Sequence, residues 1–229
     1  TWGGRELANA LNENHTKIYR ILETFEKHNF LVKDEETKKY SLGVAVWELG
    51  RLINDKFKID DVIDPLLKEL SQKTGESVFL TKLDKGEGLT LAAVESDNKI
   101  RYSVSVGSRA PLYVGASYRS ILAYMPQEFI DEYLSQDLQV YTENTMVSPE
   151  ELRKELELIR KQGYAVSQGE YTEEVTAIAI PLFYKGKIFG SLTISGPTTR
   201  ITEEDLSMFL DELRKAEKVL NDALDRFGI

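Results

Sequence analysis

The stretch HTKIYRILETFEKHNFLVKDEETKKY, residues 15–40, decides the fold of the first part of the chain. Apolar residues recur in it at the i, i+3, i+4, i+7 spacing of a helix that lies on a small core. They are Ile18, Ile21, Leu22 and Phe25. The other face carries hydroxyl and basic groups suited to phosphate oxygens and base edges, namely Thr16, Lys17, Arg20, Thr24 and Lys27. We therefore predict a helix over residues 15–29 with an apolar and a nucleic-acid-facing side.

The residues around this helix complete a recognisable order of elements. Residues 5–11 (RELANAL) predict a shorter helix, and residues 12–14 (NEN) a tight break. Residues 30–33 and 38–42 predict two strands joined by a polar turn. This order predicts a winged helix-turn-helix over residues 1–42, with its second helix in the major groove of DNA. The alternative is a helical hairpin with a solvated charged face.

The first residues, Thr1-Trp2-Gly3-Gly4, lead directly into the shorter helix. A winged helix-turn-helix normally has a further helix in front, which closes the core over Leu7, Leu11, Ile21 and Phe25. A unit of about 40 residues without it buries too little surface to be stable alone. We expect that the native chain begins earlier and that this first helix is missing from the sequence.

Composition narrows the class of protein. The chain has 229 residues, of which 41% are hydrophobic and 29% charged, as in ordinary soluble proteins with one large or two modest domains. It has no cysteine, which excludes disulfides and thiolate metal sites and fits the cytoplasm. No apolar run approaches the ~18 residues of a membrane span, so we expect a cytoplasmic protein with no membrane contact.

The net charge of −9 is unevenly distributed. Residues 1–58 hold 10 Lys and Arg against 9 Asp and Glu, a net charge of +1, whereas residues 59–229 hold 19 against 29, a net charge of −10. The acidic excess therefore lies outside the segment that is predicted to meet DNA. This split predicts two domains with a spacer that keeps the acidic one away from the phosphates.

The spacer is predicted to be helical. Val46, Leu49, Leu52 and Ile53 repeat at helical spacing, so we predict a linker helix over residues 43–58. One interpretation is that this helix packs on one of the two domains. The other is a dimer contact, because operator half-sites require two DNA-binding heads in a fixed relation.

Residues 59–229 mix the two periodicities and predict an α+β domain, one antiparallel sheet with helices. The predicted strands are 77–83, 89–95, 100–106, 175–183 and 187–195. The predicted helices are 64–74, capped by Asp64 and Pro65, then 117–124, 127–134, a helix capped by Ser148 and ended by Gly163, and a last helix capped by Thr202.

Catalysis is not predicted. Both histidines, His15 and His28, lie within residues 1–58, and the rest of the chain has neither His nor Cys. This excludes Ser-His and Cys-His nucleophiles and histidine metal sites there, and we predict no cofactor and no metal. Carboxylates at Glu170, Glu173 and Glu174 leave a carboxylate-based enzyme as a formal alternative, although such a charge run is usually a solvated loop.

Several short motifs occur together in one order. They are Lys39-Tyr40-Ser41-Leu42-Gly43 through Glu48-Leu49-Gly50, Gly107-x-Arg109-x-Pro111-Leu112, Gly163-Tyr164-Ala165, Ile178-Ala179-Ile180-Pro181-Leu182 and Ser195-Gly196-Pro197-x-x-Arg200. In this order and spacing the chain resembles the IclR family of bacterial transcription factors from about Arg5 to its end. The resemblance implies a winged helix-turn-helix, a linker helix and a GAF-like effector-binding domain, assembled as homodimers or homotetramers.

The resemblance also implies effector-binding positions. They fall on Tyr102, Ala116, Ser117, Arg119, Ser167, Ala177, Thr193 and Ser195. Ser167 and Ala177 replace the family's usual Asp and Cys, and Glu174 replaces its glycine. Independently, Ser191, Thr193 and Ser195 share one face of a predicted strand, for which the alternative interpretation is a solvent-facing surface.

These observations predict a transcriptional regulator that responds to a small molecule. Its operator contacts are predicted at His15, Thr16, Lys17, Tyr19, Arg20, Lys38 and Lys39. Its effector is expected to be an organic or sugar acid, with Arg119 as a carboxylate partner. A DNA-binding regulator without a ligand is the closest alternative.

Overall fold

The computed structural model describes residues 1–57 and 60–227. The chain divides into two compact units, residues 1–58 and residues 59–229. The predicted boundary between linker helix and second domain falls on residues 58 and 59, outside the described residues. The same holds for the side chain of Ile53.

The first unit alternates short strands with helices. Its elements are β1 (Trp2–Gly3), α1 (Gly4–Ala10), α2 (His15–Lys27), β2 (Leu31–Lys33), β3 (Lys39–Leu42) and α3 (Val44–Phe57). The strands form an antiparallel sheet in the order β1-β3-β2. The two predicted helices, the hairpin and the helix after it are confirmed, and β1 is an additional strand that pairs Trp2 with Tyr40.

Helix α2 begins where the sequence provides a cap. The side chain of Asn14 accepts a hydrogen bond from the Thr16 N–H at 2.8 Å, which satisfies one of the free donors of the first turn. Ile18 and Leu22 are buried with Ala8 and Tyr40 in the small core of this unit. Ile21 and Phe25 are 41% and 46% exposed, so only half of the predicted apolar stripe is buried here.

The second unit is an α+β domain built on one antiparallel sheet. Its strands are β4 (Ser77–Asp84), β5 (Glu87–Val94), β6 (Arg109–Pro111), β7 (Ala165–Gln168), β8 (Val175–Tyr184) and β9 (Lys187–Pro197), in the spatial order β6-β5-β4-β9-β8-β7. Its helices are α4 (Asp60–Thr74), α5 (Gly115–Leu122), α6 (Gln127–Leu134), α7 (Pro149–Gln162) and α8 (Glu203–Phe227).

The two faces of this sheet carry side chains of different size, because successive residues of a strand point to opposite faces. One face presents large aliphatic residues, all buried: Val78, Leu80, Ile178, Ile180, Leu192 and Ile194. Helices α4 and α8 contact each other and pack on this face. The other face presents small residues such as Ala179 and Ser191, and α5 lies against it, with α6 and α7 in the same apolar cluster.

Two predicted elements differ in the structure. Residues 100–106 form no strand. The segment is held by side-chain hydrogen bonds instead of a ladder, since Ser77 Oγ donates to the Tyr102 carbonyl at 2.6 Å and Arg101 and Ser103 bond to Glu95. Helix α4 begins at Asp60 and includes Pro65, so the predicted Asp64 cap is wrong. The prediction relied on Asp-Pro as a start signal, and the helical backbone begins before it.

The sequence pattern did not predict the short strands at the sheet edges. Strands β6 and β7 have three and four residues, too few to show a period of two.

The predicted helix from Ser148 to Gly163 is confirmed at both ends. Ser148 Oγ accepts from the Glu151 N–H, and Gly163 ends α7 in the left-handed region with a φ of 78°.

Glu174 provides a test of backbone strain. It has a φ of 57°, in the left-handed region that favours glycine. The family that the chain resembles has glycine at this position. The strain is roughly 1 kcal/mol, offset in part by the greater freedom of glycine in the unfolded chain. Glu174→Gly should therefore raise the free energy of unfolding by about 0.5 kcal/mol, measured by urea titration.

The neighbouring Glu173 is the matched control. It is exposed like Glu174 but is not among the residues with positive φ. Glu173→Gly should lower the free energy of unfolding, because glycine adds freedom to the unfolded chain without relieving strain. Equal effects of the two substitutions would contradict the assignment of strain to Glu174.

Candidate functional site

The predicted DNA-facing side of α2 is exposed in its unit. Thr16, Lys17, Arg20 and Thr24 border an open groove on this helix. Lys17 pairs with Glu13 at 2.7 Å, and Thr24 Oγ1 donates to the Arg20 carbonyl at 2.8 Å. Within residues 1–57 and 60–227, the Arg20 guanidinium has no ion pair. Arg20 is therefore a cation on this face that is available without exchange of a partner.

The lysines of the hairpin are compensated within the unit. Lys38 pairs with Glu35 at 2.8 Å, and Lys39 lies 3.4 Å from Glu6. The hydrogen bond from Lys38 lowers the pKa of the Glu35 carboxyl, as Lys17 does for Glu13. A DNA phosphate would have to replace these carboxylates as the partner of each lysine. The same pairing of lysines with carboxylates leaves this surface with a net charge near zero.

A second groove contains residues that the sequence pattern did not identify. Arg5 and Asn9 of α1 border it together with His15 and Tyr19 of α2. Arg5 and Asn9 are four residues apart, so the i, i+4 rule for one helix face could have found them. Tyr19 also has a packing role, since a Cβ on Gly4 would lie 2.8 Å from its ring.

The second unit contains a partly open cavity of about 40 Å³ between α5 and the small-residue face of the sheet. It is lined by Phe79, Tyr102, Gly115, Ala116, Ser117, Tyr118, Ser167, Glu170, Tyr171, Thr172, Val175, Ala177 and Ser195. The space exists because Ser167, Ala177 and Ser195 lie opposite one another on β7, β8 and β9. A row of such short side chains cannot fill the gap below the helix.

The start of α5 is held in place by polar contacts around the cavity. The Ala116 N–H donates to Ser167 Oγ at 2.9 Å, and the Gly115 N–H donates to Glu170 Oε2 at 3.4 Å. Ser117 Oγ forms hydrogen bonds with Thr81 Oγ1 and Ser191 Oγ, both at 2.9 Å. The two hydrogen bonds of the Ser117 hydroxyl connect the helix to strands β4 and β9.

Aromatic side chains form the remaining walls. The rings of Phe79 and Tyr102 lie 6.2 Å apart, and those of Tyr118 and Tyr171 6.4 Å apart in an edge arrangement. Burial raises the pKa of the Tyr102 and Tyr118 phenols further above neutral. Tyr118 occupies its place because Gly88 has no side chain, since a Cβ there would lie 2.3 Å from the ring.

Arg119 does not have the predicted role. Its side chain is 1% exposed, and its guanidinium forms a bidentate ion pair with Glu170, with Nη2 also donating to the Val166 carbonyl at 3.1 Å. The prediction that Arg119 offers its guanidinium to a ligand carboxylate is therefore wrong. The carboxylate that it binds belongs to the chain itself.

The structure brings six of the eight predicted effector positions together at the cavity: Tyr102, Ala116, Ser117, Ser167, Ala177 and Ser195. Arg119 and Thr193 do not line it. Thr193 lies in the next row of the same face, opposite Phe79 and Ala179. Ser191, Thr193 and Ser195 are all buried, so the interpretation of a solvent-facing strand is wrong.

The aromatic walls are the part of the site that the sequence did not indicate. Phe79 and Tyr118 belong to a strand and a helix that were predicted, but nothing in their spacing distinguishes them from ordinary core residues. Across residues 1–57 and 60–227, no cluster of three or more His, Cys, Asp or Glu side chains could hold a metal ion. No helix in the described part of the chain is long and apolar enough to cross a membrane.

Comparison with known proteins gives one consistent result. The family profile "Bacterial transcriptional regulator IclR C-terminal" matches residues 53–221. The HTH-type transcriptional regulator KipR of Bacillus subtilis is 30% identical over 213 residues, which are 92% of this chain and 85% of that protein.

Solved structures agree with the sequence comparison. An IclR transcriptional regulator from Alicyclobacillus acidocaldarius superposes with a TM-score of 0.90 at 28% identity, over 96% of this chain and 90% of that one. An IclR homolog from Microbacterium hydrocarbonoxydans, complexed with 4-hydroxybenzoate, has a TM-score of 0.84 at 22% identity, over 97% of this chain and 90% of that one. The latter shows similarity of fold alone.

The buried Arg119–Glu170 pair gives a second testable prediction. Arg119→Met should lower the free energy of unfolding by about 3–5 kcal/mol, because it leaves the Glu170 carboxylate buried without its partner. The double variant Arg119→Met, Glu170→Leu should regain much of this loss, since an apolar pair of similar size is often tolerated. Urea titration of the three proteins measures both effects.

Arg109 is the matched control for this experiment. It pairs with Asp84 and Glu87 at the surface, with 39% of its side chain exposed. Arg109→Met should cost no more than about 1 kcal/mol, as for exposed ion pairs. A loss from Arg119→Met as small as this would show that the buried pair does not hold α5.

Proposed function

This chain belongs to the IclR family of bacterial transcriptional regulators, and from that premise we propose that it is a sequence-specific DNA-binding regulator controlled by a small molecule. The relatives reported above are transcriptional regulators and not enzymes, so the alternative of a carboxylate-based enzyme is set aside. A regulator of this kind acts on operator DNA in the cytoplasm.

The observation that carries the DNA-binding proposal is the two-sided character of α2. Ile18 and Leu22 are buried in the unit, whereas Thr16, Lys17 and Arg20 are exposed. The order of α1, α2 and the β2–β3 hairpin supports our proposal of a winged helix-turn-helix over residues 1–42. We propose that α2 enters the major groove and that Lys38 and Lys39 of the wing contact the phosphate backbone.

The individual contacts can be divided by chemistry. Arg20 suits a base edge because a guanidinium can make two parallel hydrogen bonds to guanine. His15, Thr16, Lys17 and Tyr19 lie on the first turn or two of α2, where side chains reach phosphates or bases. Arg5 and Asn9 extend this surface along α1.

Helix α3 supports an assembly of two or four copies. Its apolar side chains are exposed, with Trp47 at 62% and Leu52 at 65%. We propose that residues 43–58 act as the linker helix and that such side chains contact a second copy in a homodimer or homotetramer. Two copies would present two heads to the two half-sites of an operator.

The cavity between α5 and the sheet is the proposed effector site. Small-molecule sites are concave, mostly apolar and supplied with a few convergent polar groups, and this cavity has that composition. The Microbacterium hydrocarbonoxydans homolog with the same fold is complexed with 4-hydroxybenzoate. We propose an organic or sugar acid as the ligand class, although Arg119, the suggested carboxylate partner, is paired with Glu170.

DNA recognition can be tested by two substitutions on the same unit. Arg20→Ala should weaken operator binding by about 1–3 kcal/mol and relax sequence preference at one position. Lys39→Ala should weaken binding to all sequences alike and reduce the salt dependence by about one phosphate contact. Gel-shift titrations with operator and scrambled DNA, at several salt concentrations, distinguish the two outcomes.

Lys161 of α7, outside the proposed DNA-binding unit, is the control for loss of charge. Lys161→Ala should leave both affinities unchanged. If Arg20→Ala keeps the operator affinity and preference of the unsubstituted protein, the assignment of α2 as the recognition helix is wrong.

Ligand control can be tested by filling the cavity. A compound that binds the folded state at 100 times its dissociation constant stabilises it by about 2.7 kcal/mol, which a thermal-shift screen of small acids, sugars and phenols detects. Ala177→Phe should abolish that shift, since Ala177 lines the cavity, while operator affinity without ligand stays the same. An undiminished shift in Ala177→Phe would place the ligand elsewhere, and no shift with any compound would favour a regulator without a ligand.

A further inference from the structure

We propose that Glu13 and Glu35 restrain the sequence-independent part of DNA binding, because each carboxylate holds a lysine that would otherwise contact a phosphate. This inference rests on the proposed DNA-binding function and adds a means by which the protein sets its own affinity for DNA. It is carried by two ion pairs on the proposed DNA-binding surface and by the contrast between these lysines and other cations of that surface.

The two ion pairs are short and local. Lys17 Nζ lies 2.7 Å from Glu13 Oε1. Lys38 Nζ lies 2.8 Å from Glu35 Oε2. The partners are four and three residues apart, so each pair forms within a short segment and without DNA. Both lysine side chains are more than half exposed, at 58% and 62%, so a phosphate reaches either lysine in competition with its carboxylate.

The hairpin turn that carries Glu35 and Lys38 is itself fixed by hydrogen bonds. Asp34 Oδ1 accepts from the Thr37 N–H at 2.6 Å and from the Glu36 N–H at 3.1 Å. The Lys38 N–H donates to the Asp34 carbonyl at 2.9 Å. Because the main chain holds both side chains on one turn, the pair loses less conformational entropy on forming than a pair on a flexible loop would. The restraint on Lys38 is therefore built into the turn.

Two other cations that are proposed to meet DNA, Arg20 and Lys39, are less restrained. Among the described residues, no carboxylate forms an ion pair with the Arg20 guanidinium. Lys39 Nζ lies 3.4 Å from Glu6 Oε1, and Glu6 Oε2 accepts from the Gly3 N–H at 2.8 Å. The Glu6 carboxylate is thus shared between a lysine and the main chain. The strongest restraint falls on two lysines that suit phosphates and leaves free a guanidinium that suits a base edge.

The cost of exchanging these partners is the same for every DNA sequence. Phosphate contacts supply sequence-independent affinity, whereas base contacts distinguish one sequence from another. When Lys17 or Lys38 turns to a phosphate, it loses its carboxylate, so the gain of one contact is offset by the loss of another. The released carboxylate stays close to the phosphates, and like charges repel. The two carboxylates should therefore lower the affinity for operator and scrambled DNA by the same factor.

The first experiment removes each carboxylate in the full chain. The probes are duplexes of about 30 base pairs, long enough for two half-sites, one of scrambled sequence and one selected from a random library by the protein itself. Fluorescence anisotropy gives the dissociation constants. Glu35→Gln should tighten binding to both duplexes about threefold, the size expected for an exposed ion pair, and leave their ratio unchanged. Glu13→Gln should do the same.

Double variants separate this effect from a general change of charge. In the parent chain, Lys38→Met should change the affinity for scrambled DNA less than about twofold, because the lost phosphate contact is offset by the lost ion pair. In the Glu35→Gln background, the same substitution should weaken binding about threefold, since the lysine there is free to contact a phosphate. Lys17→Met should show the same dependence on Glu13→Gln.

Glu36 is the matched control, because it is exposed on the same turn and forms no ion pair in the part of the chain that the structure describes. Glu36→Gln makes the same change of charge and should leave the small effect of Lys38→Met as it is in the parent. Circular dichroism checks that all variants are folded.

The outcomes separate this inference from the proposed function. An equal effect of Lys38→Met in the parent, Glu35→Gln and Glu36→Gln backgrounds would overturn the inference and leave the DNA-binding proposal standing. A loss of preference for the selected duplex in Glu13→Gln or Glu35→Gln would also overturn it, because the restraint would then depend on sequence. If neither the parent nor the variants bind any duplex, the proposed function is refuted and the inference with it.

Discussion

The alternation of small and large side chains on β8 and β9 is the constraint on which the second unit depends. Large aliphatic residues such as Ile178, Ile180 and Leu192 point to one face, where α4 and α8 bury them. Ala177 and Ser195 point to the other. If the small face carried leucines, α5 would be pushed away from the sheet, and the hydrogen bonds of Ser117 to Thr81 and Ser191 would be lost. The same alternation therefore produces both the core and the cavity.

The ion pair between Arg119 and Glu170 follows from this arrangement. A helix that lies close to a sheet buries its own polar side chains, and a buried charge needs a partner and hydrogen bonds. Glu170 supplies two oxygens to Arg119 and accepts from the Gly115 N–H, while the Val166 carbonyl accepts from Arg119. The pair contributes little to the net stability of the fold, because the cost of desolvating the two charges cancels much of their attraction. Its clearer effect is to fix the start of α5 over the cavity.

The sequence predicted the parts of this structure that depend on local patterns. Residues 127–134 and the capped helix from Ser148 to Gly163 were predicted with their observed ends, because period and capping chemistry agree there. Residues 100–106 alternate like a strand, but they lack a neighbouring strand to pair with, and one sequence does not reveal which strands become neighbours. Pairing across the sheet is a property of the whole fold.

The candidate site shows the same limit. Six of the effector positions that the family resemblance predicts line the cavity, but Arg119 was assigned to the ligand because its residue type suits a carboxylate. Its actual partner lies 51 residues away in sequence. The sequence contains both residues but does not show the distance between them in space. Ion pairs between residues that are far apart in the sequence change the chemistry of a site most. They are also the feature that sequence patterns are least able to predict.

A small molecule in this cavity can influence the protein only by binding one arrangement better than another. If the proposed effector binds in this cavity, Ser117 would link it to the sheet, because its hydroxyl lines the cavity and also bonds to β4 and β9. The Ser117 hydroxyl has one proton, which it can donate to Thr81 or to Ser191 but not to both, so a ligand that accepts this proton would replace one of these contacts. Ligand binding would then replace a contact between α5 and the sheet by a contact with the ligand, and the free-energy difference between these two hydrogen-bonded states would limit the response.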